Sequence, residues 1–126
     1  MRSVITVSVI LALFIILIVT SAFFVNTSTK ALTSKIDLII NAVEEENWHL
    51  ARSLFLQMHK QLEEKSEIFE AIYNHVEFDQ ILISHTRAES YIEQKWQDNA
   101  LCELSQLKML INHLAEKDKL AFYNIF

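Results

Sequence analysis

The chain has 126 residues with a formal net charge of −5 and neither glycine nor proline, where ordinary usage would place about nine and six. That absence excludes the phosphate-binding loop, the dinucleotide fingerprint and the nucleophile elbow, all of which need glycine, and it argues against a fold rich in strands and tight turns. Residues 30–126 hold ten Lys/Arg and sixteen Asp/Glu, a net −6, so no basic stripe exists for nucleic acid and the charge does not favour lying flat on anionic lipid.

The first element is the uncharged stretch from Val4 to Val25, 22 residues. As a helix it is roughly 33 Å long, which matches a hydrocarbon core of about 30 Å. The hydroxyls of Thr6, Ser8, Thr20 and Ser21 can bond back to their own helix. A signal peptide cleaved near Thr20-Ser21-Ala22 is the rival reading, but its apolar region would be only about 7–15 residues. The expectation is therefore an uncleaved anchor over residues 1–25 and a helical domain over 26–126. Arg2 before the span and Lys30 and Lys35 after it nearly balance. The very short N-terminal tail favours the amine inside and the domain outside the cell membrane. Asn26-Thr27-Ser28 fits a glycosylation acceptor pattern, relevant only to a eukaryotic secretory pathway.

No breaker follows the span. Leu32, Ile36, Ile39/Ile40 and Val43 continue at helical spacing, so the anchor helix is expected to run on as the domain's first helix, about 30–46. Glu44-Glu45-Glu46-Asn47 reads as a solvated turn, with Asn47 as N-cap of the next helix. Trp48, Ala51, Leu54/Phe55, Met58 and Leu62 form the stripe of a helix over about 48–74, with Trp48 placed against the end of the anchor helix. Asn74 and His75 mark a break. Phe78, Ile81/Leu82, His85, Ala88 and Ile92 give a helix over about 78–95, with His85 on its apolar side. Leu101, Leu104, Leu107, Ile111 and Leu114 give the last, about 98–115, with Asp98 as N-cap and the run Glu116–Lys119 ending it. The apolar tail LAFYNIF is expected to dock on the bundle.

At an offset of 49, Val43, Ala51, Phe55, Met58 and Leu62 match Ile92, Ala100, Leu104, Leu107 and Ile111. The fold class is all-α: a transmembrane helix continuous with a small four-helix domain of two hairpins. Tetratricopeptide-like packing and a plain bundle fit equally well.

Candidate sites are few. His49, His59, His75, His85 and His113 include no pair at i,i+4 and no HExxH, so no cofactor or metal is assigned. The best metal candidates are His75, His85, Glu89 and His113, which would need the last helix to bring His113 beside the others. Arg87, if buried, would take Asp79 or Glu77 as partner in a polar cluster that fixes helix register. Ser84-His85 adjacency carries no triad signal. No acid–base pair stands out, so an enzyme is not expected. Trp48, Arg87, Glu89 and Tyr91 are the candidates for partner contact. Cys102 has no internal disulfide partner, and self-association could use the small pair Ser8 and Ala12 in the span.

Over nearly its whole length the sequence resembles the bacterial family named domain of unknown function 4363. The residues that carry the resemblance are MRSVI with its apolar span, AVEEENWHLARSLF, HVEFDQILISHTRAESYI and ALCELSQLKMLINHLAEKDKLAFYNIF. The resemblance implies a single-span protein with a small helical domain, encoded beside another small membrane protein, and carries over no activity. Leu114-Ala115 stands where the family form has Ile-Pro, so a proline-assisted helix stop near His113 is missing. The function expected is a membrane-anchored, non-catalytic interaction module of the bacterial envelope, partnered with another membrane or envelope protein; the alternative is an extracytoplasmic ligand- or metal-sensing bundle.

Overall fold

The computed structural model describes residues 1–125, without the side chains of residues 118, 121–123 and 125. It contains four helices: α1 (Arg2–Glu44), α2 (Trp48–Ile72), α3 (His75–Gln94) and α4 (Gln97–Ile125). The apolar segment and the first domain helix are thus one rod of 43 residues. Its first half is apolar and exposed, long enough to cross a membrane, and contributes nothing to the core. There Thr6, Thr20 and Ser21 donate to the carbonyls of Arg2, Ile16 and Ile18. From Val25 onward one face is buried through Leu32, Ile36, Ile39 and Val43.

Side-chain contacts fix all four neighbours as antiparallel. Lys35 Nζ donates to Gln57 Oε1, and Phe24 faces Phe69, between α1 and α2. Arg52 meets Glu93 between α2 and α3. Glu77 meets Lys117 between α3 and α4. Lys108 meets Asp37 at 2.6 Å between α4 and α1. The α1–α4 contact closes the two hairpins into a ring around one core rather than leaving an open stack. The α2–α3 contact is the least extensive of the four.

The offset of 49 reappears in the geometry. Ala51 and Ala100, Phe55 and Leu104, Met58 and Leu107, and Leu62 and Ile111 are all buried. Both hairpins also turn in the same way. Glu46 (φ 55°) and Lys95 (φ 58°) adopt the left-handed conformation in which glycine usually ends a helix. In each turn the next residue's N–H reaches five residues back, Asn47 to Ala42 and Trp96 to Tyr91, while Glu46 and Lys95 donate to Val43 and Ile92. The Trp96 ring stacks on Tyr91 at 5.9 Å, the apolar contact that accompanies this motif.

Asn47 caps α2 as expected, its side chain accepting from the Leu50 N–H at 3.2 Å. Asn74 does the same for α3 through Val76, so that helix starts at His75 rather than at 78. Asp98 is not the cap of α4: the helix begins at Gln97 and Asp98 lies in its first turn. The Gln97 side chain instead donates to the carbonyls of Val43 and Glu44, closing the end of α1. The run Glu116–Lys119 does not end α4, which continues to Ile125. Neither glycine nor proline is there to stop it, and Lys117 is held by Glu77. Docking of the tail concerns mostly side chains outside the described ones; Leu120, which is described, is exposed.

Candidate functional site

The least extensive seam of the bundle, between α2 and α3, is also where a strongly shifted titratable group lies. His85 is buried on α3 with its ring 4.7 Å from that of Phe55. Its Nε2 lies 3.3 Å from Nδ1 of His59 on α2, close enough for one ring to donate to the other. Burial, and then the neighbouring His59, hold the His85 imidazole down to about 4, so it is neutral at physiological pH. His59 turns its other nitrogen toward Glu63 at 3.9 Å. One helical turn or more further along, a narrow groove is lined by Arg52, Phe55, Leu56, Glu89, Ile92 and Glu93.

Ser84 and His85, adjacent in sequence, serve different seams. Ser84 Oγ faces α4 and donates to the Glu103 carboxylate at 3.1 Å. Arg87 reaches the other carboxylate oxygen at 3.8 Å. The Glu103 side chain is only 12% exposed and that of Arg87 58% exposed. Arg87, whose expected role is conditional on burial, is therefore a surface residue, and the less exposed charge is its partner. That partner comes from α4, not from Glu77 or Asp79. Asp79 is exposed and Glu77 is engaged with Lys117.

The other expected residues are scattered. His75 is exposed at the first position of α3, and His113 is exposed on α4 beside a shallow depression of about 330 Å³ lined by that helix alone. Glu89 is half-buried in the α2–α3 groove. His75, His85, Glu89 and His113 are thus not brought together. Among the described residues no three His, Cys, Asp or Glu side chains gather to hold a metal ion. Two imidazoles meet at His59 and His85, fewer than the three or four protein ligands usual for zinc. Trp48 and Tyr91 both pack half-buried on the core at the end where the two hairpins turn. Sequence reasoning missed His59 and Glu103 as partners, since nothing in their spacing links them to residues on α3.

A family model described as domain of unknown function (DUF4363) matches residues 19–125. The chain belongs to this family. The DUF4363 match spans the last turns of the apolar stretch together with the whole bundle. No curated protein and no solved structure matches the chain.

Proposed function

We propose that the chain is a single-span membrane protein whose bundle is a non-catalytic docking module for another membrane or envelope protein, with the N-terminus inside and the bundle outside. The observation that carries the reading is the continuity of α1. One helix supplies both the exposed apolar segment and a wall of the core, with no joint between them. A bundle held in this way cannot swing out to a distant substrate, and whatever it engages lies at the membrane. Cleavage near Thr20-Ser21-Ala22 would remove half-buried positions such as Ile18, would leave the Phe24–Phe69 contact at a frayed helix start, and would cut inside the family match, which starts at residue 19. The surface offered to a partner is the α2–α3 groove with the exposed Leu56 beside it, continued at the turn end by Trp48, Tyr91 and the half-exposed Trp96. Apolar and aromatic groups rimmed by the Arg52–Glu93 pair suit a helix-in-groove contact.

A photoreactive residue in place of Trp48 or Tyr91, activated in native membranes, is expected to trap one discrete protein. Adducts to lipid alone would count against the docking role, and an adduct of twice the chain's own mass would make the partner a second copy.

A further inference from the structure

The contacts of α1 set a mismatch between its length and the bilayer. Only residues 4–17 of the apolar stretch are exposed throughout; Ile18 is the first half-buried position, and Ser21 and Ala22 follow. Fourteen helical residues reach about 21 Å, some 9 Å short of a hydrocarbon core of about 30 Å. The charge of Arg2 opposes a shift in the other direction. The register of the hairpin tells the same story. Phe24 lies level with Phe69, so Ile72, three residues on along an antiparallel helix, falls level with residue 21 of α1. The α2–α3 turn that follows lies alongside the last turns of the span. α4 goes further, since its Lys117 already pairs with Glu77 near the start of α3 and the helix continues to Ile125.

Apolar groups stand at this end among charged ones, which include the exposed Glu70, Asp79, Glu116 and Lys119. Val76 is 63% exposed, and Ile68, Ile72 and Leu120 stand out with it. The charge of Glu77 is matched there by Lys117. The opposite end carries the Glu44–Glu46 run.

We propose that this end of the bundle, the α2–α3 turn with the last turns of α4, is itself seated in the lipid interface, with Ile72, Val76 and Leu120 in contact with acyl chains. The inference rests on reading Val4–Val25 as a membrane span. The depth that closes the mismatch, about 9 Å, lies within the roughly 5–10 Å at which amphipathic elements sit in the headgroup–acyl boundary. Asn74 and His75 between the two apolar positions stay at headgroup level. The bundle is then held at two places, by the span and by its own tip, which fixes its rotation as well as its height.

The test uses the full chain with Cys102→Ser, carrying a single cysteine by Ile10→Cys, Ile72→Cys, Val76→Cys or Lys95→Cys. Each variant bears an environment-sensitive fluorophore and is reconstituted in phosphatidylcholine–phosphatidylglycerol vesicles with spin-labelled lipids. The expected result is blue-shifted emission at positions 72 and 76, mostly lost to a label high on the acyl chain. Position 10 should be quenched by a label deep in the chain, and position 95 should be unaffected by either. Quenching at 10, with 72 and 76 behaving like 95, would overturn the seated tip while leaving the span intact. Absence of quenching at 10 would overturn both.

Discussion

At the scale of single residues, His85 is the position where local chemistry departs from its surroundings. Counting 49 residues back, the matching position in the first hairpin is Ile36, fully buried. An imidazole in that place packs like an apolar ring against Phe55, provided it stays neutral. Unfolded, the group titrates near 6.5; folded, it titrates near 4. Between those values the unfolded chain binds more protons, so stability present above pH 6.5 declines as the pH falls toward 4. The full shift corresponds to about 3 kcal/mol. The groups facing His85 across the seam are His59 and, behind it, Glu63, and His59 opposes any second positive charge. Thermal melting of the full chain in detergent micelles is expected to drop between pH 7 and 4.5. His85→Leu should remove most of that dependence, and an unchanged pH slope in the variant would place its origin elsewhere.

At the scale of elements, the two turns at Glu46 and Lys95 show how a chain without glycine still reverses direction. A left-handed residue with a Cβ costs roughly 1–2 kcal/mol. Each turn offsets this through its pair of backbone bonds, and the second adds the Tyr91–Trp96 stack. Glu46→Gly and Lys95→Gly should therefore each stabilise the bundle by about 0.5–1 kcal/mol, the relief of the Cβ clash less glycine's greater entropy loss. Glu45 has φ −80°, so Glu45→Gly relieves nothing and should destabilise by about 0.5–1 kcal/mol. Opposite signs at neighbouring positions, read from melting curves, make the comparison independent of charge, since Glu45 and Glu46 each lose one carboxylate.

At the scale of the molecule, the proposed span makes the continuous α1 the link between bundle and membrane, and the side on which the bundle stands is open to direct measurement. Cys102 is exposed on α4, and no other cysteine exists to compete. An impermeant thiol reagent applied to intact cells is expected to label it as fully as in detergent-opened cells. Labelling only after opening would place the bundle on the cytoplasmic side. Because the thiol is exposed, burial within the bundle would not explain a negative result.

The sequence by itself determined the helix count, the class and most helix starts. Apolar stripes at 3.6-residue spacing survive translation into burial almost residue for residue, as Ala51, Phe55, Met58 and Leu62 illustrate, and Asn47 acts as the cap its chemistry suggests. It also disclosed the 49-residue correspondence, because equal stripes in two hairpins are a one-dimensional pattern. The end of α4 was not legible in this way, since a charged run stops a helix only with a breaker behind it, and none is present. Partnerships were decided by the tertiary structure alone. His85 meets His59, Ser84 and Arg87 meet Glu103, and Gln97 closes α1, each across a seam between two helices. Periodicity tells which face of a helix is turned inward. Which helix stands opposite, and how far along, depends on how four such faces pack into one core. That same packing places the α2–α3 turn beside the last turns of the apolar segment of α1.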